Sequence, residues 1–223
     1  MANLFNTYLY EPILAVLVFI YQNLSFHDLG LAIIILTILV RVVLFPIFYK
    51  SAKDQSLMQG LQPHIKKIQK NHKDNKEKQA TALMALYRQN KVNPLSGLLL
   101  IIIQLPIIIA LYQVFLKGLS GVVFDNHTFL GIIDLGAKSL ILVVAAALLQ
   151  YVQGKLSLPP QSSDEQGKKI FQTSRMMTIL GPIITLVILI SLPSAISLYW
   201  AVSTLVSIGQ QVYINKKIAR PKI

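Results

Sequence analysis

Residues 29–49 read LGLAIIILTILVRVVLFPIFY, and the reading of the whole chain turns on that stretch. At about 1.5 Å per residue, a helix of this length reaches ~30 Å, the depth of bilayer hydrocarbon. Only Thr37 and Arg41 interrupt the apolar run, and Lys50 closes it. An arginine near the centre of a spanning helix costs about 2.5–3.5 kcal/mol on insertion scales. Two readings of Arg41 stand open at this point. It faces a hydrated or protein-lined cavity, or its long stem snorkels toward the nearer interface. Thr37 lies one turn earlier on the same face, and taken alone it bonds its own backbone.

Composition agrees with a membrane reading. Of 223 residues, 54% are hydrophobic and 13% charged, more apolar surface than a soluble domain of this size could hide. The balance of 21 Lys and Arg against 9 Asp and Glu gives a net charge of +12. Beside long apolar runs, such a charge points to anionic lipid and to topology before nucleic acid. The absence of cysteine excludes disulfides, thiolate metal sites and a lipid-modified N-terminal cysteine. No Lys or Arg precedes Arg41, so the first apolar stretch is expected to be retained and not cleaved as a signal.

The expected fold is an all-α integral membrane protein. It has five transmembrane helices around a hydrophilic groove, an N-terminal interfacial helix and a cytoplasmic helical hairpin. Residues 1–28 form the external interfacial segment, because the apolar core after Pro12 is short and flanked by tyrosines. Spans are expected at 29–49, 94–116, 139–153, 176–192 and 194–213. Residues 50–93 form the hairpin: Leu57, Leu61, Ile65 and Ile68 recur at helical spacing, as do Ala80, Leu83, Leu86 and Tyr87, with a turn at 71–75. Pro63 is expected to interrupt its first helix. Residues 117–138 make an external loop, 154–175 a cytoplasmic loop, and 214–223 a basic cytoplasmic tail. Eighteen Lys and Arg fall on the side of the hairpin, the second loop and the tail, against two on the other side. The N-terminus is therefore expected outside and the C-terminus in the cytoplasm.

Several spans carry polar groups that could join Arg41. Gln104 and Pro106 break an aliphatic run, and Gln104 alone could make a simple interhelical hydrogen bond. In the last span Ser197, Trp200, Thr204, Ser207 and Gln211 recur every three or four residues, opposite Ile196, Leu198, Val202, Leu205 and Val206. Small hydroxyl residues can serve helix packing, but an end-to-end stripe favours a groove shared with Arg41. The Gly118–Gly121 sequence GLSG matches a serine-protease-like motif, yet every histidine falls outside the spans and no general base is within reach. It reads as a glycine-rich turn. Two Asn-x-Ser/Thr tripeptides, at Asn23 and Asn126, occur readily by chance. No phosphate loop, HExxH or Cys/His cluster is present, so neither catalytic residues, nor a metal, nor any cofactor is expected.

Three stretches carry a family resemblance. GLAIIILTILVRVVLFPIFYKS at 30–51 resembles the first conserved span of the YidC/Oxa/Alb membrane insertases. LQPHIKKIQKNHKDNKEKQATALMALYRQNKVNPLSGLLLIIIQLPIIIALYQVFL at 61–116 is similar to their cytoplasmic hairpin and following span. LPSAISLYWAVSTLVSIGQQ at 192–211 is similar to their last span. The resemblance implies a groove open to cytoplasm and lipid but closed outside. It identifies Arg41 with the groove arginine, Thr37 with a polar residue one turn before it, and Gln104 with the glutamine of a QMP-like motif that has Leu105 for Met. It puts Trp200 at the aromatic position beside that arginine and Gln150 at the cytoplasmic end of the groove. The implied function is insertion and folding of proteins in the bacterial inner membrane without nucleotide hydrolysis. The implied partners are nascent membrane proteins, lipid, the Sec translocon and the ribosome, with no direct reading of nucleic acid. The lack of an added N-terminal span, a lipobox cysteine or a long tail suggests a minimal bacterial form. A small transporter or channel is the competing reading, although no internal repeat is visible. An RNA- or ribosome-binding anchor is a second, although the hairpin has no nucleic-acid-binding signature.

Overall fold

Helix starts follow local chemistry. In the computed structural model, which describes residues 2–118, 124–158 and 165–217, α1 (Ala2–Phe5) runs through a π-helical turn at Asn6–Tyr10 into α2 (Glu11–Asn23). Asp28, in extended backbone, accepts the amide of Leu31 and caps α3 (Leu29–Val43). Leu44 ends that helix and α4 (Phe45–Gly60) follows. Pro63 sits in the first turn of α5 (Gln62–Asn71), where its missing N–H has no helical partner to lose. The expected interruption thus falls at Leu61, just ahead of the proline. After the turn at 72–75, Asn75 accepts the amide of Lys78 to cap α6 (Lys76–Gln89).

Helix α7 (Ser96–Gly118) carries Pro106 in its interior. Two short antiparallel strands, β1 (Thr128–Phe129) and β2 (Ile133–Asp134), add the one sheet among the described residues. Helix α8 (Leu140–Leu156), α9 (Glu165–Leu189) and α10 (Ser194–Lys217) complete the order. The segment 154–175, expected as a loop, contains the end of α8 and the first turns of α9. Its lysines and Arg175 are good helix formers, so polarity there ends the membrane-like pattern without ending the helix. Leu119–Gly121 of the GLSG turn, Pro159, Pro160, Asp164, Arg220 and Lys222 lie outside the described residues.

The chain divides into two compact units. One comprises Met1–Leu44 with Gln104–Gly209. In it α2 packs on α3, β1 lies against α3, and α8 runs closely along α9. A Cβ on Gly154 would come within 2.9 Å of the Thr178 side chain, which is why the α8–α9 approach can be so close. Leu17, Ile20, Tyr21, Leu29 and Ile33 form a buried α2–α3 seam.

The second unit comprises Phe45–Ile103 with Gln210–Ile223. Helices α5 and α6 pack together across their turn. Leu61, Ile65 and Val92 are its buried cluster, flanked by Leu57, Met58, Leu83, Leu86 and Tyr87. Tyr213 packs on Phe45 with ring centroids 6.1 Å apart, and Lys217 Nζ donates to the Tyr213 hydroxyl at 3.3 Å.

Polarity in the first unit is inverted relative to a soluble bundle. Large aliphatic side chains stay exposed on several helices: Val42 and Val43 on α3, Ile141 and Leu148 on α8, Ile183 and Val187 on α9. Buried alongside the core are Thr37, Arg41, Thr185, Ser197, Ser203, Thr204 and Ser207. Among the described residues, Phe171–Leu189 is the one unbroken helix long and apolar enough to cross a bilayer by itself. Helices α3 and α4 meet that test as a pair broken at Leu44, and Ile102–Phe115 and Leu140–Leu156 are shorter apolar stretches. Helix α10 is diluted by serine, threonine and glutamine. Those of its hydroxyls that are buried face protein, so that part of the helix need not be apolar to sit among apolar neighbours.

Candidate functional site

The site is built on α3 and α10, with contributions from α7, α8 and α9. Arg41 lies in the last turn of α3 and is only 9% exposed. Its Nε donates to Ser203 Oγ at 2.9 Å, and Nη2 donates to the same oxygen. Burial with a fixed hydrogen-bond partner favours the protein-lined reading of Arg41 over free snorkelling. One serine hydroxyl receives two N–H groups of the guanidinium edge, which fixes the direction of the side chain more tightly than a single bond would.

Tyr199, one turn before Ser203 on α10, is the electrostatic neighbour of Arg41. Gln104 of α7 donates its amide to the Tyr199 hydroxyl at 2.6 Å. Polar side chains of three helices therefore gather here: Gln104 of α7, Tyr199 and Ser203 of α10, and Arg41 of α3. Thr37 is fully buried and donates to the Ile33 carbonyl at 2.6 Å, so its hydroxyl proton is spent on its own helix.

A second polar cluster is separate in its bonding. Gln150 Oε1 on α8 accepts from the Thr185 hydroxyl of α9 and from the Trp200 indole, the latter at 3.4 Å. Trp200 spends its one donor on Gln150. Its neighbour Tyr199 interacts electrostatically with Arg41. Gln150 links α8, α9 and α10 through these two bonds.

The remaining stripe residues Ser197, Thr204 and Ser207 are buried, and Ser197 Oγ has no hydrogen-bond partner among the described residues. Burial does not follow the two-sided pattern the spacing suggested. From Ser194 through Tyr199 every residue is buried, including Ile196 and Leu198 on the supposed opposite face. The first turns of α10 are enclosed all round, whereas Leu205, two turns further on, is 56% exposed. Ser203 and Tyr199 were missed because the spacing rule selected Trp200, Thr204 and Ser207. Ser203 lies four residues before Ser207 and three after Trp200, a signal available in the sequence. Among the described residues no His, Cys, Asp or Glu cluster could hold a metal.

Aliphatic faces turned outward around a buried arginine and its hydroxyl partners define a helical membrane protein. Residues 19–221 match the family model described as 60Kd inner membrane protein, and the chain belongs to that family. It is similar to the membrane protein insertase YidC of Magnetococcus marinus, with 38% identity over 213 residues, 95% of this chain and 36% of the relative. It is similar to the membrane protein insertase YidC 2 of Bacillus anthracis, at 34% identity over 219 residues, 96% of this chain and 82% of the relative. A YidC of Clostridium perfringens is 36% identical over 200 residues, again covering 82% of that protein. The chain thus spans little more than a third of the first relative and most of the other two. The family resemblance carried by residues 30–51, 61–116 and 192–211 is borne out.

Proposed function

We propose that this chain inserts and helps fold membrane proteins in the bacterial inner membrane, through a positively charged hydrophilic groove and without nucleotide hydrolysis. The observation that carries the reading is Arg41, buried among helices with aliphatic exteriors and held by Ser203. Membership of a family whose relatives bear the insertase name supports it.

In this reading the groove is lined by Arg41, Thr37, Gln104, Trp200, Ser197, Thr204 and Ser207, with Gln150 at its cytoplasmic end. Five spans surround it, residues 50–93 and the C-terminal tail face the cytoplasm, and the N-terminal helix lies in the outer interface. The guanidinium offers an acidic or polar segment of a nascent protein a charged halfway station. The cost of desolvating that segment is then spread over two steps. The apolar part of the substrate meanwhile moves directly into lipid beside the exposed aliphatic faces. The protein forms no covalent intermediate and is not an enzyme in the catalytic sense. The Sec translocon and the ribosome are the partners proposed with it.

The test compares insertion of matched substrates, one with an acidic outer tail and one neutralised, by wild type, Arg41→Lys and Arg41→Ala, normalised to insertase amount. Arg41→Ala is expected to lose most insertion of the acidic-tail substrate and much less of the neutral one, with Arg41→Lys intermediate. Equal loss for both tails would overturn the electrostatic mechanism.

A further inference from the structure

Residues 124–137 contain little regular structure, yet they are fastened to three helices of the first unit. The amide of Asn126 donates to the Tyr21 hydroxyl of α2 at 2.9 Å. The amide of Leu130 donates to Asp28 Oδ2 at 2.6 Å, while Oδ1 of the same carboxylate caps α3 through Leu31 at 2.8 Å. The Phe129 ring occupies the space a Cβ on Gly30 would need, so β1 lies flush on the first turn of α3. At the far end Ser194 Oγ donates to the Asp134 carbonyl at 2.6 Å. The amides of Ser194 and Ala195 donate to the carbonyls of Ala137 and Leu135 at 2.9 and 3.0 Å. One short segment therefore grips the first turn of α3 and the first turn of α10.

Those are the two helices that carry Arg41 and Ser203. They do not run in close backbone contact along their lengths, so direct packing is a weak determinant of their relative register. A helix transmits position along its axis at about 1.5 Å per residue, and the hydrogen-bond window is only ~0.5 Å wide. We infer that Asp28 and Ser194 are positioning residues for Arg41: through the 124–137 segment they set α3 against α10 so that the guanidinium meets Ser203. The approach to Asp28 is itself constrained. Phe26 and His27 both hold left-handed backbone, with φ of 53° and 60°, a conformation that costs about 1–2 kcal/mol per residue and persists only where the surroundings over-determine it. The His27 ring meets Tyr21 edge-on at 5.4 Å, and Tyr21 is the residue that receives Asn126.

The inference rests on the proposed function only for the reason Arg41's position matters, and its test reads geometry, not insertion. The full-length chain, ¹⁵N-labelled at arginine in lipid nanodiscs, gives an Nε–H signal for Arg41 that is assigned by its loss in Arg41→Lys. Ser203→Ala supplies the signal of a guanidinium without its Ser203 bond. Asp28→Ala and Ser194→Ala are expected to move the Arg41 signal toward that reference and speed its hydrogen exchange roughly tenfold, the equivalent of 1.4 kcal/mol. Ser194→Thr, which keeps the hydroxyl, is expected to leave it near wild type. Should Asp28→Ala fail to fold, Asp28→Asn retains an oxygen for Leu31 while losing the carboxylate link to Leu130, and the same shift is expected. An Arg41 signal unmoved by both pins, or moved equally by Ser194→Thr and Ser194→Ala, overturns the inference. Loss of acidic-tail selectivity as a property of Arg41 would end the insertase mechanism and leave this inference standing.

Discussion

Arg41 on α3 donates through Nε to the hydroxyl of Ser203 on α10, a contact 2.9 Å long between residues 162 positions apart in the chain. A guanidinium tied to a neutral hydroxyl keeps its full charge, whereas a carboxylate partner would cancel it. The same bond removes the freedom of the side chain to stretch toward the interface. Charge and position are thus secured together.

Removing that acceptor should be felt in stability. Ser203→Ala is expected to cost about 1.5–3 kcal/mol, the range for a hydrogen bond to a charged group. Ser203→Thr, which keeps the oxygen, should cost less. Thermal unfolding in a mild detergent, at equal protein and lipid content, checks the order of the two variants.

Gly30 offers a packing test. Any Cβ there meets the Phe129 ring, so Gly30→Val is expected to destabilise by ~1–3 kcal/mol through overpacking. Phe129→Ala should recover part of the loss in a double-mutant cycle, because the two residues share one space. Additive losses would mean that β1 does not sit on α3 as described.

Gln150 and Trp200 can be tested by light. Trp200 is the sole tryptophan of the chain, so its emission reports one site. Gln150→Leu removes the acceptor of the indole N–H and of the Thr185 hydroxyl. The emission should shift to the blue, and stability should fall by about 1–3 kcal/mol as buried donors lose their partner. An unchanged spectrum would count against the joint.

The sidedness of the chain is open to a clean labelling test because it has no cysteine. Asp74→Cys, in the exposed turn between α5 and α6, should stay unlabelled by an impermeant thiol reagent in intact cells and react after the membrane is opened. Lys138→Cys should react at once. Labelling of the first in intact cells would reverse the proposed topology.

Local stability should differ between the two units. The cluster of Leu61, Ile65 and Val92 is small, and the faces of α5 and α6 around it are rich in lysine. Amide exchange is expected to be faster in α5 and α6 than in the enclosed first turns of α10. Equal protection would show that the hairpin is held by more than its own cluster.

Much of this was legible in the residues. Apolar run length, the arginine at 41 inside an apolar run, the lysine-rich amphipathic pair and the turn at 71–75 follow from one-dimensional patterns, and the caps at Asp28 and Asn75 are local side-chain chemistry. The partnership within the site was less so. Spacing on α10 pointed to Trp200, Thr204 and Ser207, but a helix face fixes direction to within about one residue in 3.6 and cannot choose between adjacent side chains. That Ser203 receives Arg41 and Tyr199 receives Gln104 depends on where α3 and α7 approach α10.

The sequence by itself determined that this protein is helical, largely apolar and built to tolerate one deep arginine, since periodicity, composition and insertion cost are properties of consecutive residues. It also carried the family membership. Only the tertiary structure decided that Arg41 is held by Ser203, that Thr37 bonds its own helix, and that Gln150 joins three helices. These are contacts between residues 35 to 162 positions apart, apart from the local bond of Thr37. Their geometry depends on the relative register of whole helices, a quantity written in no single stretch of chain.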